Sequence, residues 1–187
     1  MSIYLTAILP PPALAAEIDD LRREVSERFK VYKALKPPIH ITLFKPVKLN
    51  ENLEEHLLRL LRPLTLHHTP FDQTLENFDS FNDKTFFIKV SKTSALLALQ
   101  KDISSVFRKN KIDEGIVKER NSFSPHITLA YRDVSPDTFK AIWQEYKSKK
   151  FKRAFTTDRF AILKHDGNRW NIFEEIPLEK PAVLELF

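Results

Sequence analysis

The chain has 187 residues, 42% of them apolar and 29% charged, which suits one domain or two small lobes with a sizeable core. It has no cysteine, which excludes disulfides and thiolate metal sites and fits a reducing, cytoplasmic setting, and its two glycines exclude the Gly-rich phosphate loops of P-loop and dinucleotide-binding proteins. The net charge of +5 and the pI near 9.3 permit a polyanionic partner without demanding one.

The first residues, "MSIYLTAILPPPALAAEIDD", have no positive leader and are broken by three prolines, so they read as a strand running into a helix rather than as a signal peptide. "IYLTAIL" (3–9) alternates and is rich in β-formers. From Pro12 to about Lys30, Leu14, Ile18, Leu21, Val25 and Phe29 fall at helical spacing, with proline in the first turn. A loop leads into the strand "IHITLFK" (39–45). Asn50 is placed to cap a second helix whose face carries Leu53, Leu57, Leu60, Leu61 and Leu64, and "FDQTLENFDSF" (71–81) reads as a strand. The order then restarts. "TFFIKV" (85–90) is a strand, Ser94 to Asn110 is a helix with Leu96, Leu99, Ile103, Val106 and Phe107 inward, and a loop holding Gly115 leads into "HITLAYR" (126–132). Ser135-Pro136 opens a helix with Phe139, Ile142, Trp143 and Tyr146 inward. "RAFTTDRFAILKH" and "RWNIFEEIPL" follow as strands around the turn signal Asp166-Gly167. No apolar stretch reaches the roughly 18 residues of a membrane span.

Each half thus reads strand, helix, His-x-Thr strand, helix, strand. The pattern predicts a duplicated α+β fold, one bilobal domain with lobes of about 1–82 and 83–187 and no linker between them. The strongest repeat is His-Ile-Thr-Leu at 40–43 and again at 126–129, each behind proline, in a chain with six histidines. Proline favours extended chain before it. Side chains alternate in a strand, so His40 shares a face with Thr42, and His126 with Thr128, while Ile41, Leu43, Ile127 and Leu129 face the core.

One such triplet is more often a half-buried strand with a satisfied histidine than a site. Two copies in matching places reverse those odds. Two imidazoles near their usual pKa hold one neutral and one protonated ring, a base and an acid on opposite sides of a reacting atom. Two threonine hydroxyls donate to the non-bridging oxygens of a phosphate. The set suits in-line displacement at phosphorus without a metal. His67-His68 near Asp72 point apart and lack a third spaced ligand, so no metal and no cofactor are expected. The G-x-S-x-G elbow of serine hydrolases is missing.

The doubled "HITL", with its lobe pattern over nearly the whole chain, resembles the 2H phosphoesterase superfamily, with its 2′-5′ RNA ligase and 2′,3′-cyclic phosphodiesterase branches. The resemblance implies a cleft between two antiparallel sheets with both motifs on its floor, and Thr42 and Thr128 holding the phosphate. It also implies His40 as proton donor and His126 as acceptor, an order that the residues alone leave open. Several RNA-acting members carry arginine five positions after the second histidine. Here Tyr131 stands there, and Arg132 follows. Unbroken alternation would turn Arg132 towards the cleft, and in the first strand Phe44, as a base platform. Phe123 is a second candidate platform, Tyr4 and Phe87 are candidate cleft residues, and Lys33, Lys36, Lys118 and Arg120 form a candidate basic rim. The expected activity is a metal-independent phosphodiesterase acting on a 2′,3′-cyclic phosphate or 2′-5′ linkage at an RNA end. The expected partner is RNA or a nucleotide, with no membrane, and the expected state a monomer. Two alternatives remain open, the same chemistry on a small cyclic phosphate such as one derived from ADP-ribose, and a module that binds nucleotides or RNA ends without turnover.

Overall fold

Strand β1 (Ser2–Ile8) is apolar on both faces and is buried on both, with Tyr4 and Ile8 in the main core and Leu5 and Ala7 in a smaller cluster with Ala161 and Leu163. A computed structural model of the chain describes residues 1–112 and 123–179. Helix α1 (Pro12–Phe29) starts at proline, buries Ile18 and Val25, and ends where Lys30 takes a left-handed conformation. β2 (Ile41–Leu49) carries the first motif, α2 (Glu54–Leu61) buries Leu57, Leu58 and Leu61, and β3 (Phe71–Phe81) follows. Asn50 begins a short 3₁₀ turn without a capping bond from its side chain, and Leu53 stays exposed. β4 (Thr85–Val90), α3 (Ser94–Lys109), β5 (His126–Ala130) and α4 (Pro136–Tyr146) repeat the order. Thr93 caps α3 by accepting from the Leu96 N–H at 3.2 Å, and Ser135 caps α4 by accepting from the Thr138 N–H at 3.1 Å. The chain ends its described part with β6 (Lys152–Thr157), β7 (Arg159–His165) and β8 (Trp170–Pro177).

These eight strands form two antiparallel sheets of four, in the orders β2-β1-β7-β8 and β5-β4-β3-β6. The fold is the expected α+β pair of sheets with four helices. The expected division at 82/83 falls between two paired strands, β3 and β4. Asn82 and Asp83 both have φ near +51°, and the Lys84 N–H bonds the Phe81 carbonyl at 3.1 Å, so the proposed boundary is a two-residue hairpin inside the second sheet. The third strands are exchanged: β3, from the first half, pairs with β4, while β7, from the second, pairs with β1. "RAFTTDRFAILKH", read as one strand, is two, because the chain leaves the second sheet for the first at Asp158, whose carbonyl accepts from the Leu178 N–H at 2.7 Å.

The helices cross over as well. α1 packs on β5 and α4, and α3 packs on β2 and α2. The two motif strands are the inner edges of their sheets and touch each other. One apolar cluster runs from Tyr4 and Ile18 through Leu43 and Leu99 to Leu129 and Phe160. Among the described residues no helix is long and apolar enough to cross a membrane.

Candidate active site

Both motif strands carry the same irregularity at the same place. In the first, Ala7 faces Thr42 and Thr6 faces Phe44; in the second, Phe87 faces Thr128 and Phe86 faces Ala130. Each time two motif-strand residues oppose one step of the neighbour, which is a β-bulge just after the threonine. The consequence is local and symmetric. Leu43 and Phe44 both turn into the core, as do Leu129 and Ala130.

His40, just ahead of β2, and His126, at the start of β5, line one cleft of about 580 Å³ together with Thr42 and Thr128. Their surroundings match bond for bond. His40 Nδ1 lies 2.7 Å from the Pro38 carbonyl oxygen, and His126 Nδ1 lies 2.8 Å from that of Ser124. A carbonyl only accepts, so Nδ1–H donates in both rings and Nε2 is left for the cleft. A neutral ring then offers Nε2 as a base, and a charged ring offers Nε2–H as an acid. Burial pushes both histidines below the usual imidazole pKa, against the backbone bonds, which raise it; the charges of Arg22 and His126 lower His40 further. His126 also rests on Phe87 and edge-on to Phe81, with ring centroids 5.0 and 4.9 Å away. This apolar bed fixes the ring and dries its surroundings.

Arg22 is only 4% exposed yet lines the same cleft. Its Nη1 donates to the carbonyls of Ala34 at 2.8 Å and Pro37 at 2.9 Å, and its Nε donates to Asp19 at 2.9 Å. It thereby holds the segment that leads into His40. At the far wall the cleft is bounded by Ile3, Leu5, His165 and Trp170, the last two in edge contact at 5.1 Å between centroids.

Residues 10–169 match the family model of the 2′-5′ RNA ligase superfamily. The chain belongs to that superfamily. Its members are 2H phosphoesterases, as the paired motifs imply. Three solved structures share the fold at low identity. TT0787 of Thermus thermophilus superposes with a TM-score of 0.65 at 18% identity, covering 95% of this chain and 98% of that one. E. coli LigT in apo form gives 0.67 at 15% identity, covering 96% and 98%, and LigT complexed with 3′-AMP gives 0.64 at 16%, covering 96% and 99%. No curated protein matches the chain.

Within this 2H phosphoesterase the cleft gathers some of the expected side chains and leaves out others. His40, Thr42, His126, Thr128, Tyr131, Arg132 and Lys36 line it. Phe44 does not: it is 3% exposed and stacked on Phe107 at 4.2 Å, because the bulge reverses the alternation after Leu43. The matching bulge puts Tyr131 back on the cleft side. Arg132 reaches the cleft by another route than alternation, from a left-handed residue (φ +68°) beyond the strand end, with its guanidinium 5.1 Å from the Tyr131 ring centroid. Phe123 packs against the apolar core rather than lining the cleft. Tyr4 is in the core too, its hydroxyl donating to Glu54, and Phe87 lies beneath His126. Lys118 and Arg120 lie outside the described residues. His68 Nε2 pairs with Asp102 at 3.0 Å, and Asp72 accepts from the Thr156 hydroxyl at 2.8 Å, so two of the three residues weighed for metal have separate partners.

Arg22, His165 and Trp170 were not singled out by sequence. A signal existed for each. Arg22 sits in the apolar stripe of α1 between Ile18 and Val25, where a charge demands a buried partner. His165 and Trp170 flank the Asp166-Gly167 turn, and their strands pair them directly.

Proposed function

We propose that this superfamily member is a phosphodiesterase that opens a 2′,3′-cyclic phosphate, or cleaves a 2′-5′ linkage, at an RNA or nucleotide terminus by two-histidine acid–base catalysis. The observation that carries the reading is the matched pair of imidazoles, each tied through Nδ1–H to the carbonyl two residues back and each presenting Nε2 to one cleft. Water attacks phosphorus while Nε2 of His126 takes its proton. The new P–O bond forms as one ring P–O bond breaks, and Nε2–H of His40 protonates the leaving ribose oxygen. The product is a phosphomonoester, and exchange of one proton with solvent from each ring restores the starting pair. Thr42 and Thr128 donate to the non-bridging oxygens, where negative charge builds. No step requires a metal. The apolar wall with Trp170 takes the nucleobase by stacking. E. coli LigT, which shares the fold, has been solved complexed with 3′-AMP, phosphate and ATP.

The test is turnover of a 2′,3′-cyclic mononucleotide and of an oligonucleotide with a cyclic end. Wild type is expected to give a phosphomonoester from both, and His40→Ala and His126→Ala each to lose about two to four orders of magnitude. Near-full activity in both single variants would remove the acid–base assignment. A rate that grows with chain length and falls with salt marks RNA as the substrate; equal rates mark a small cyclic phosphate.

A further inference from the structure

Asp133 lies just past β5, the strand of His126, and does not line the cleft. Its Oδ2 accepts from the backbone N–H of Tyr32 at 2.7 Å and of Lys33 at 3.0 Å. Those amides open the short turn Lys33–Leu35, for which Tyr32 supplies no capping bond. The same turn and the residues after it are held from the other side by Arg22, through the carbonyls of Ala34 and Pro37. The next carbonyl, that of Pro38, receives the Nδ1–H of His40. An unbroken chain of bonds therefore leads from the strand of one histidine to the ring of the other. Among the described residues, the second carboxylate oxygen of Asp133 is buried without a hydrogen-bond partner, and the bonds of the carboxylate go to these two amides.

We propose that Asp133 is a positioning residue, which ties the segment 32–38, and with it the imidazole of His40, to the strand that carries His126. The inference rests on the two-histidine reading above. Acid and base must reach opposite sides of one phosphorus, and they sit on different sheets whose inner edges meet there. Each histidine is placed by its own strand and by the carbonyl two residues before it. Without a cross-link, the spacing between them would depend on packing alone. A charge-assisted bond to two successive amides is short and directional, and sets that spacing at backbone level. Misplacement of a reacting group by about 1 Å is enough to lose two orders of magnitude in rate.

The experiment is a graded series, Asp133→Asn and Asp133→Ala. Asparagine keeps an acceptor for the two amides but without charge, and alanine keeps none. The expected order of kcat is wild type, then Asp133→Asn, then Asp133→Ala, with the last about 10- to 100-fold down. KM stays within a few-fold, since the phosphate and base contacts are untouched. Wild-type kcat in both variants, or a loss confined to KM, overturns the proposal. Amide hydrogen exchange at Tyr32 and Lys33, measured without substrate, should accelerate in the same order. Unchanged exchange in Asp133→Ala overturns the tie itself. This second arm does not depend on turnover, so an inactive wild type would remove the phosphodiesterase reading while leaving the tie tested. Should the alanine variant fail to fold, the asparagine variant carries both readouts.

Discussion

Replacing Phe44 with alanine separates two roles that the first motif strand could give it. As a base platform, the ring would contribute to substrate binding and little to stability. As a core residue behind a bulge, it contributes to stability and little to KM. It is 3% exposed and stacked face to face on Phe107 of α3, with centroids 4.2 Å apart and planes 14° from parallel. Truncating a phenylalanine buried to this degree costs about 3–5 kcal/mol, because a ring's worth of contacts is lost and the cavity collapses only in part. In a chain of 187 residues each kcal/mol lowers Tm by about 2–4 °C, so the expected fall is roughly 6–20 °C. The stack itself is shared, so the double variant Phe44→Ala/Phe107→Ala should be less destabilised than the two singles added, by about 0.5–1.5 kcal/mol. Thermal and urea unfolding read the stability. Steady-state kinetics on a cyclic mononucleotide, run well below the variant's Tm, reads KM, which should stay within about threefold, a change of roughly 0.6 kcal/mol or less. A stability change under about 1 kcal/mol accompanied by a tenfold rise in KM would refute the packing account and restore the stacking role.

Two further outcomes follow from the site. The proposed two-histidine mechanism needs one ring charged and one neutral, and burial lowers both pKa values below the ordinary 6.5. The free enzyme therefore holds its acid in the charged form only on the acidic side of neutrality, and kcat/KM, which reports the free enzyme, should trace a bell with its maximum below about pH 6.5. A maximum at or above about pH 7.5, or a flat profile with chemistry limiting, would contradict that assignment. Trp170→Ala should raise KM about tenfold for a cyclic mononucleotide, the effect of losing roughly 1.4 kcal/mol of base stacking, with kcat little changed; an unchanged KM would place the base elsewhere.

Much of this was legible in the sequence because it is written locally. The apolar spacing of α3 and the proline start of α1 lie within single elements, and the structure reproduces them at Ser94–Lys109 and Pro12–Phe29. The pairing of the two motifs was legible because a tetrapeptide repeats. Phe44 was misplaced for an equally definite reason: alternation holds only while a strand pairs regularly, and a bulge depends on the neighbouring strand. Its presence at Leu43–Phe44 and again at Leu129–Ala130 is set by contacts with β1 and β4 that no local window contains. The exchange of β3 and β7 is hidden likewise, since a strand carries no mark of its partner. Arg22 was hidden by its setting, a charged residue inside a stripe whose apolar neighbours alone were counted.

The strand exchange has a bearing on how the protein is made. Ile3 pairs with His165, so the first sheet closes only when the two ends of the described chain meet. Ordering so long a loop is entropically costly and slows folding. A ribosome that has delivered the first motif and its helices has delivered a sheet edge with no β7 to cover the other side of β1. The second sheet, from β3 to β6, is contiguous in sequence and can form as soon as it emerges. Synthesis thus favours an order in which the lobe of His126 is complete first and serves as the template on which the lobe of His40 is assembled. A chain stopped before β7 would hold both motifs but leave β1 without one of its two neighbours, and the sheet behind His40 unclosed.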